Sequence, residues 1–181
     1  MKSVSSVTST IAKSLLFILL LSVATTSFAI FTLVSSLNDA EAVNVAGSMR
    51  MQSYRLANDI QIESIDFHSH IDEFEKSLYS SSMTELVSWA VPTDITVDYY
   101  LIIGRWHELK LVLNSDNRQR YLLLVENFVT EIDHFVFKLQ EFSVNKLIKL
   151  AWAGGLGLGG ILVISLFVVH LNQLNLIIQL L

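Results

Sequence analysis

Residues 14–37 read SLLFILLLSVATTSFAIFTLVSSL, a run of 24 residues without a formal charge. At about 1.5 Å per residue, a helix of this length crosses a hydrocarbon core roughly 30 Å thick. The run therefore predicts a transmembrane helix, preceded by a short tail, residues 1–13, that carries Lys2 and Lys13. A cleaved signal peptide is the alternative, because residues 27–29 (SFA) resemble a cleavage site. The apolar character that continues beyond this point favours a retained helix.

A second uncharged run, LAWAGGLGLGGILVISLFVVHL, occupies residues 150–171 and is also long enough to span a bilayer. Within it Gly155 and Gly159 form a GxxxG motif, which fits oligomerisation or close packing on the first span. Glycines that merely loosen the helix are an equal alternative. Two spans put both termini on one side of the membrane, which leaves residues 172–181 as a second short tail.

The side of the membrane on which residues 38–149 lie is not decided by charge. Lys2 and Lys13 favour a cytoplasmic amino-terminal tail, but Lys146 and Lys149 border the second run. A connection of this length is exported largely regardless of its charges. We therefore expect a protein of the bacterial inner membrane with residues 38–149 in the periplasm and both tails in the cytoplasm.

Apolar residues at helical spacing recur through the connection. One seam consists of Phe128, Ile132, Phe135, Leu139 and Phe142, and a second of Ile102, Trp106, Leu109 and Leu113. Both follow the alternating three- and four-residue rhythm of an apolar helix face. The first seam predicts a helix that runs from about Gln119 into the second membrane run, since no proline separates them. Residues 115–117 (SDN) form a natural turn between the two helices.

Two more helices complete the predicted domain. Pro92 interrupts the chain, and Thr93 or Asp94 can cap the helix that follows. A first helix is expected from residue 37 to about 65, and a shorter one over residues 70–79. The predicted fold class is all-α: a membrane-anchored, antiparallel four-helix bundle between two transmembrane helices.

Composition excludes several functions. The formal charge of −5 and the lack of a basic block argue against nucleic-acid binding, and the lack of cysteine excludes disulfides and thiolate chemistry. His68 and His70 with Asp66 could ligate a metal, but residues two apart do not share a helix face. Solvated loop residues are the expectation. The sequence predicts no catalytic residue, no metal site and no cofactor.

The helical rhythm of the first run continues into the exported domain. It passes through Leu33, Leu37, Ala40, Val43, Gly47, Arg50 and Tyr54. Arg50 therefore lies on a face that would normally meet another helix. A buried guanidinium there needs an anionic partner, because its desolvation is costly. Asp39 and Glu41 lie too far along the helix to reach Arg50 easily.

If this face met the same face of a second copy, two-fold symmetry would bring two Arg50 side chains together. At about 5 Å and an effective dielectric near 20, they would repel by roughly 3 kcal/mol. A small planar oxyanion between them would turn repulsion into attraction, and Gly47 leaves room beside the guanidinium. The alternative is that Arg50 and Arg55 form salt bridges to Asp59, Glu63 or other carboxylates of the bundle.

Residues 39–56, DAEAVNVAGSMRMQSYRL, resemble the sensory box of the nitrate/nitrite sensor histidine kinases, a family of two-component sensors. Related sensory domains occur in type IV pilus chemotaxis transducers. The order of span, helical domain and span is also similar to the family. In that family the arginine matching Arg50 binds nitrate or nitrite across a homodimer axis, and the glycine matching Gly47 lines the site. The resemblance implies the same here, with Asn44, Ser48 and Arg55 as possible secondary ligand residues.

The resemblance implies a membrane sensor of periplasmic nitrate or nitrite in two-component signal transduction. Its partners would be the anion, a second copy of the chain and membrane lipid. Family members continue into a HAMP linker, a phosphoacceptor helix and an ATP-binding domain, which do not fit after Leu171. We therefore expect this chain, as a fragment or a natural truncation, to be non-catalytic itself. A downstream kinase or response regulator is a partner only if a transmitter is present.

Two other functions stay open. One is a structural or regulatory membrane protein that binds a protein partner through its helices and has no anion site. The other is a chemoreceptor-type sensory domain for another small anion.

Overall fold

Helical elements make up the computed structural model, which describes the backbone of residues 2–180 and the side chains of residues 12, 13, 15–170, 173, 174 and 177. They are α1 (Lys2–Ile62), α2 (Phe67–Leu78), α3 (Ser81–Thr84), α4 (Thr93–Leu113), a 3-10 helix (Arg118–Leu123) and α5 (Val125–Leu180). No strand occurs within residues 2–180, so the all-α class is confirmed. Residues 1 and 181, the outer ends of the two predicted tails, lie outside the described residues.

The last helix begins later than predicted. α5 starts at Val125 rather than near Gln119, because the residues before it form tighter 3-10 turns. The Leu124 N–H, for example, donates to the Tyr121 carbonyl oxygen over 2.9 Å. The one-turn helix α3 is a second difference, since no sequence pattern predicted it.

The ends of three other helices also differ from the predictions. α2 occupies Phe67–Leu78 and not residues 70–79. α1 stops at Ile62, before the expected residue 65, because Glu63 has a φ of 50°, in the left-handed region. The Ser64 N–H then donates to the Asp59 carbonyl oxygen over 2.9 Å and closes the helix end. At the start of α4, Pro92 occupies the N-cap position and no side chain caps the helix. The predicted cap from one of the two following residues is therefore wrong.

The chain divides into two compact units, one made of the residues up to Ser35 and from Lys146 onward, the other of Ser36–Asn145. α1 and α5 contribute residues to both units. In the second unit, α2, α4 and parts of α1 and α5 share one apolar core. Its largest fully buried side chains include Trp106, Tyr99, Tyr121, Phe74, Phe128 and Phe135.

Ring contacts and hydrogen bonds join the helices of the second unit. Phe74 of α2 stacks on Trp106 of α4 with ring centroids 3.9 Å apart, and Phe128 of α5 lies 5.8 Å from Phe74. The Tyr121 hydroxyl donates to the Ser53 carbonyl oxygen of α1 over 3.1 Å. The predicted antiparallel four-helix bundle is confirmed by this arrangement around a common core.

The first unit contains apolar helical segments whose side chains point outward. Two helices, over Leu15–Ile62 and Val125–His170, are long and apolar enough to cross a membrane. Large apolar side chains such as Phe31, 74% exposed, cover the first segment, as expected of a surface that faces lipid. The two segments approach at Gly157, where a Cβ would lie 3.4 Å from Thr25 Cγ2.

The predicted GxxxG pair does not make this close approach within the chain. A Cβ at Gly155 or Gly159 would meet none of the described atoms within 4 Å. Of the alternatives for this pair, packing on the first span is therefore not found, and Gly157 packs there instead. The segments are also joined by a hydrogen bond of 2.6 Å from Lys146 Nζ to Ser35 Oγ.

Candidate anion-binding site

Two faces of α1 in the second unit follow the same helical spacing, and the residues of one face come one position after those of the other. The buried face consists of Ala42, Ala46, Met49, Ser53 and Leu56. The predicted seam lies one position later, and one residue turns an α-helix by about 100°. Both sets follow the same rhythm, but the core contains the first, whose alanines let α1 approach its neighbours closely. Arg50 therefore lies on an outer face, with 44% of its side chain exposed.

A surface groove of about 640 Å³ lies beside Arg50, between α1 and α5. From α1 it includes four of the five predicted ligand residues: Asn44, Gly47, Ser48 and Arg50. From α5 it includes Val129, Asp133, Val136 and Gln140. One wall of the groove thus comes from the sensory box, residues 39–56. The other wall comes from residues of α5, about 80 positions later in the sequence.

Arg50 makes two polar contacts within the groove. Its Nη1 donates to Asp133 Oδ1 over 2.6 Å, and its Nε donates to the Gly47 carbonyl oxygen over 3.2 Å. A Cβ at Gly47 would lie 3.6 Å from Arg50 Nη2. Because Gly47 has no side chain, position 47 makes no side-chain contact with the guanidinium. The Ser48 hydroxyl, by contrast, donates to the Val45 carbonyl oxygen over 2.7 Å, within its own helix.

Arg55 is not brought into this groove. Its Nη2 lies 2.5 Å from Glu73 Oε2 of α2, in an ion pair on a different side of α1. Both box arginines thus pair with bundle carboxylates, as the salt-bridge alternative expected. The partners are Asp133 and Glu73, whereas Asp59 pairs with a histidine.

Of the histidines considered as metal ligands, His70 forms a pair with Asp59. His70 Nδ1 lies 2.5 Å from Asp59 Oδ2, whose side chain is 4% exposed. Within the part of the chain that the structure describes, no three His, Cys, Asp or Glu side chains are grouped in a way that could hold a metal ion. His68 and His70 lie in α2 and not in a loop, so the expectation of solvated loop residues is wrong. His70 links α2 to the end of α1.

A larger groove, of about 740 Å³, lies between α4 and α5 and has a different charge balance. Its Arg105 is paired with Glu108 at 2.9 Å and with Glu131 at 3.6 Å, and Asp98 adds a third carboxylate. The formal charges lining the Arg50 groove, by comparison, are one arginine and one aspartate. The lining of the Arg50 groove is therefore less negative, although that groove is smaller.

Asp133 is the main groove residue that the sequence did not single out. It lies between Ile132 and Phe135, two members of the predicted apolar seam, and thus beside the buried face of α5. That position is a usable signal, because a carboxylate adjoining a seam can reach a neighbouring helix. The sequence contains no signal that pairs it with Arg50, which lies 83 residues earlier.

Comparison with known proteins identifies the family. Residues 31–128 match the model of the type IV pili methyl-accepting chemotaxis transducer amino-terminal region, called PilJ, which includes α1 beyond Phe31, all of α2, α3 and α4, and the beginning of α5. The chain belongs to this family. The PilJ amino-terminal match therefore covers the box, α2 and α4, and it ends four residues into α5, before the groove residues of that helix.

Two curated relatives are also similar to this PilJ-family chain. The nitrate/nitrite sensor protein NarQ of Escherichia coli K12 is 37% identical over 155 residues, which cover 84% of this chain and 27% of NarQ. The sensor protein NarQ homolog of Haemophilus influenzae is 33% identical over 144 residues, which cover 79% of this chain and 25% of that protein. The chain thus spans about a quarter of the length of the curated relatives it matches.

These relationships confirm the expected resemblance to the amino-terminal region of nitrate/nitrite sensor proteins such as NarQ. Together with the two apolar helices, they indicate an inner-membrane protein with two spans. The same relationships indicate a membrane sensor in signal transduction.

Proposed function

We propose that this chain senses periplasmic nitrate or nitrite by binding the anion between two Arg50 side chains at the axis of a homodimer. The main observation is that Arg50 lies exposed on an outer face of α1, next to Gly47, in a groove that also contains Asn44 and Ser48. The name of the E. coli relative, a nitrate/nitrite sensor, supports the choice of anion.

The outer face of α1 is suited to contact a second copy. Met51 and Tyr54, one and four residues after Arg50, are 75% and 51% exposed although both are largely apolar. Such residues, in line with a glycine and an arginine, would be covered by the same face of the partner. The anion would then be desolvated between two guanidinium groups, where charge-assisted hydrogen bonds are strongest.

The carboxylate of Asp133 would compete with the anion for the Arg50 guanidinium. Arg50 and Asp133 have 44% and 49% of their side chains exposed, so their pair contributes little stability by itself. Nitrate arriving at the guanidinium would compete with the carboxylate for the same N–H donors. The two occupants would hold Arg50 differently, one towards α5 and the other towards the dimer axis.

This competition gives the anion a route to signalling. A ligand shifts a conformational equilibrium only if it binds the two states with different affinity. The facing arginines would destabilise the dimer contact without the anion and stabilise it with the anion, which provides that difference. Because α1 and α5 contribute residues to both units, a shift between them at Asp133 would reach the membrane segments.

The test is calorimetric titration of nitrate, nitrite and chloride into the full chain in detergent. The proposal expects saturable binding of about one nitrate or nitrite per two chains, with much weaker binding of chloride. Arg50→Ala should abolish binding while gel filtration still shows the dimer. Arg55→Ala is the matched control, because it removes the same charge five residues away, and it should bind normally.

Absence of binding to a folded dimer would reject the proposal and favour a membrane protein that interacts only with other proteins. Loss of binding in Arg55→Ala but not in Arg50→Ala would move the site to the Glu73 side of α1. The PilJ family match favours one second candidate, a chemoreceptor-type domain for another small anion. Titration with a panel of small carboxylates and oxyanions separates it from the nitrate sensor.

A further inference from the structure

The segment Glu85–Pro92, between α3 and α4, is a loop whose ends are fixed by hydrogen bonds and whose tip is exposed. Leu86 is 3% exposed, and its carbonyl oxygen accepts a hydrogen bond of 2.8 Å from Thr96 Oγ1. The Val91 N–H donates to the Ser88 carbonyl oxygen over 3.2 Å. Between these anchored ends, Trp89 is 99% exposed. Its indole ring therefore projects from a backbone that is fixed on both sides.

Contacts with α1 show where this loop lies along the length of the bundle. Arg55 pairs with Glu73, and Gln52 Nε2 donates to Ser77 Oγ over 2.9 Å. Further along, Asn38 Nδ2 donates to Glu85 Oε2 over 2.8 Å. In these three contacts the residue numbers on α1 decrease while those of their partners, from α2 to the loop, increase. The loop therefore lies beside the beginning of the second unit.

That level coincides with the end of the first uncharged run. Asn38 is the next residue after residues 14–37, and one residue advances a helix by about 1.5 Å. The headgroup region on each side of a bilayer is roughly 5–7 Å thick, which corresponds to four or five helical residues. A loop tethered to Asn38 is therefore at the depth of the lipid headgroups.

The composition of the loop suits this depth. Tryptophan is enriched at membrane interfaces because its ring is apolar and its N–H is polar. Val87, 45% exposed, provides a second apolar contact beside Trp89. Residues 77–104 contain the acidic residues Glu85, Asp94 and Asp98 but no lysine or arginine. Attraction to anionic headgroups therefore contributes nothing, and insertion would depend on the apolar side chains.

We propose that Trp89, together with Val87, inserts into the headgroup region of the bilayer that contains the two spans. The lipid contact attaches the loop that precedes α4 to the membrane surface, next to the point where α1 leaves the bilayer. This inference depends on the membrane anchoring and does not depend on the anion site.

The test is fluorescence quenching of the full chain in bilayers of zwitterionic phosphatidylcholine with brominated acyl chains. The chain has three tryptophans. Trp152 is replaced by Phe in every sample because it lies in the second uncharged run, and Trp106 is kept because it is fully buried in the core. The Trp89 signal is the difference between Trp152→Phe alone and Trp152→Phe with Trp89→Phe. As a matched control, Ile65→Trp is added to the double variant, since Ile65 is 97% exposed in the turn at the other end of α2.

The proposal expects bromolipid to quench Trp89 strongly and the tryptophan at position 65 little or not at all. Adding anionic lipid should leave the quenching unchanged. Equal quenching of the two positions, or quenching of Trp89 by aqueous iodide alone, would overturn the proposal. Protection from both quenchers would also overturn it, because the ring would then lie against protein, in a second copy or another partner.

Discussion

Arg50 and Asp133 form an ion pair that is exposed on both sides, and such pairs contribute at most about 1 kcal/mol to stability. Their importance in the proposed site is competition, because the carboxylate and the anion need the same guanidinium. The pair would set the affinity of the sensor without much effect on its folding.

Asp133→Asn should therefore strengthen nitrate binding. Removing a negative charge within hydrogen-bond distance of Arg50 should lower the Kd by up to about fivefold, which corresponds to about 1 kcal/mol. Calorimetry on the variant measures this directly. Asp116→Asn is the control, because it makes the same change in net charge in the turn after α4. An unchanged Kd in Asp133→Asn would show that the carboxylate does not oppose the ligand.

Tyr121 holds the start of α5 to α1 through a buried hydroxyl. Burial raises the pKa of this phenol, so the group stays neutral and donates to the Ser53 carbonyl oxygen throughout the physiological range. Tyr121→Phe should lower the free energy of unfolding by about 1 kcal/mol, the net value of one hydrogen bond. Thermal unfolding by circular dichroism provides the measurement. Tyr100→Phe, at an exposed position, should leave the Tm unchanged.

At the scale of elements, α1 carries two apolar rhythms that are one residue apart. The alanine face packs in the bundle, and the glycine face stays outside it. Gly47 has no packing role within the protomer, because an added Cβ would reach only the Arg50 guanidinium, at 3.6 Å. Its value should lie in the contact between two copies.

Gly47→Ala should therefore raise the Tm while it weakens nitrate binding. Alanine stabilises a helix interior by about 1 kcal/mol relative to glycine. The new methyl group would make an ordinary contact with the guanidinium, 3.6 Å from Nη2, but would occupy space at the proposed dimer axis. Gly104→Ala is the matched control, since a Cβ there would meet none of the described atoms within 4 Å. It should stabilise the bundle similarly without changing the Kd, and equal effects of both variants on binding would remove Gly47 from the site.

Helices α2 and α4 are joined by a polar link at Glu75. Its Oε1 accepts from Lys110 Nζ at 2.7 Å and from Trp106 Nε1 at 3.2 Å. Burial raises the pKa of this carboxyl, but the hydrogen bonds from Lys110 and Trp106 lower it by more than burial raises it. The pKa therefore lies below its ordinary value of 4.5. A carboxyl with a depressed folded pKa stabilises the fold above its unfolded pKa and loses that contribution as the pH falls.

The Tm of the wild type should exceed that of Glu75→Gln at neutral pH, and the difference should close as the pH falls below about 4.5. Thermal unfolding over a series of pH values gives the comparison. Asp72→Asn, on the exposed side of the same helix, should not reproduce this closing difference. A gap that persists at low pH would mean that shape rather than charge holds the link.

At the scale of the whole molecule, the proposed topology puts the bundle in the periplasm and both ends of the chain in the cytoplasm. The chain has no cysteine, so single cysteines can be introduced without a mutated background. Ile65→Cys should react with a membrane-impermeant maleimide in intact spheroplasts, because this residue is 97% exposed. Ser3→Cys should react only after permeabilisation. The opposite pattern would invert the topology.

Much of this architecture follows from local sequence. The two uncharged runs predict membrane helices because hydrocarbon admits only long apolar stretches whose backbone bonds internally. The seams of α4 and α5 were predicted correctly, since Ile102, Trp106, Phe128 and Ile132 are all buried. The end of α1 at Glu63 and the 3-10 turns before Val125 were not, because left-handed and tightened turns at such residues depend on what packs against them.

The sequence by itself determined the helical class and the two spans, because helical periodicity and hydrophobic length are properties of neighbouring residues. The box around Arg50 was found through its resemblance to a known family. Only the tertiary structure decided which of the two rhythms on α1 enters the core, and hence that Arg50 faces outward. It also decided that Asp133 meets Arg50 and that the loop with Trp89 lies beside Asn38. These contacts join residues distant in the chain, and their partners are chosen by how four helices fill one core rather than by any local pattern.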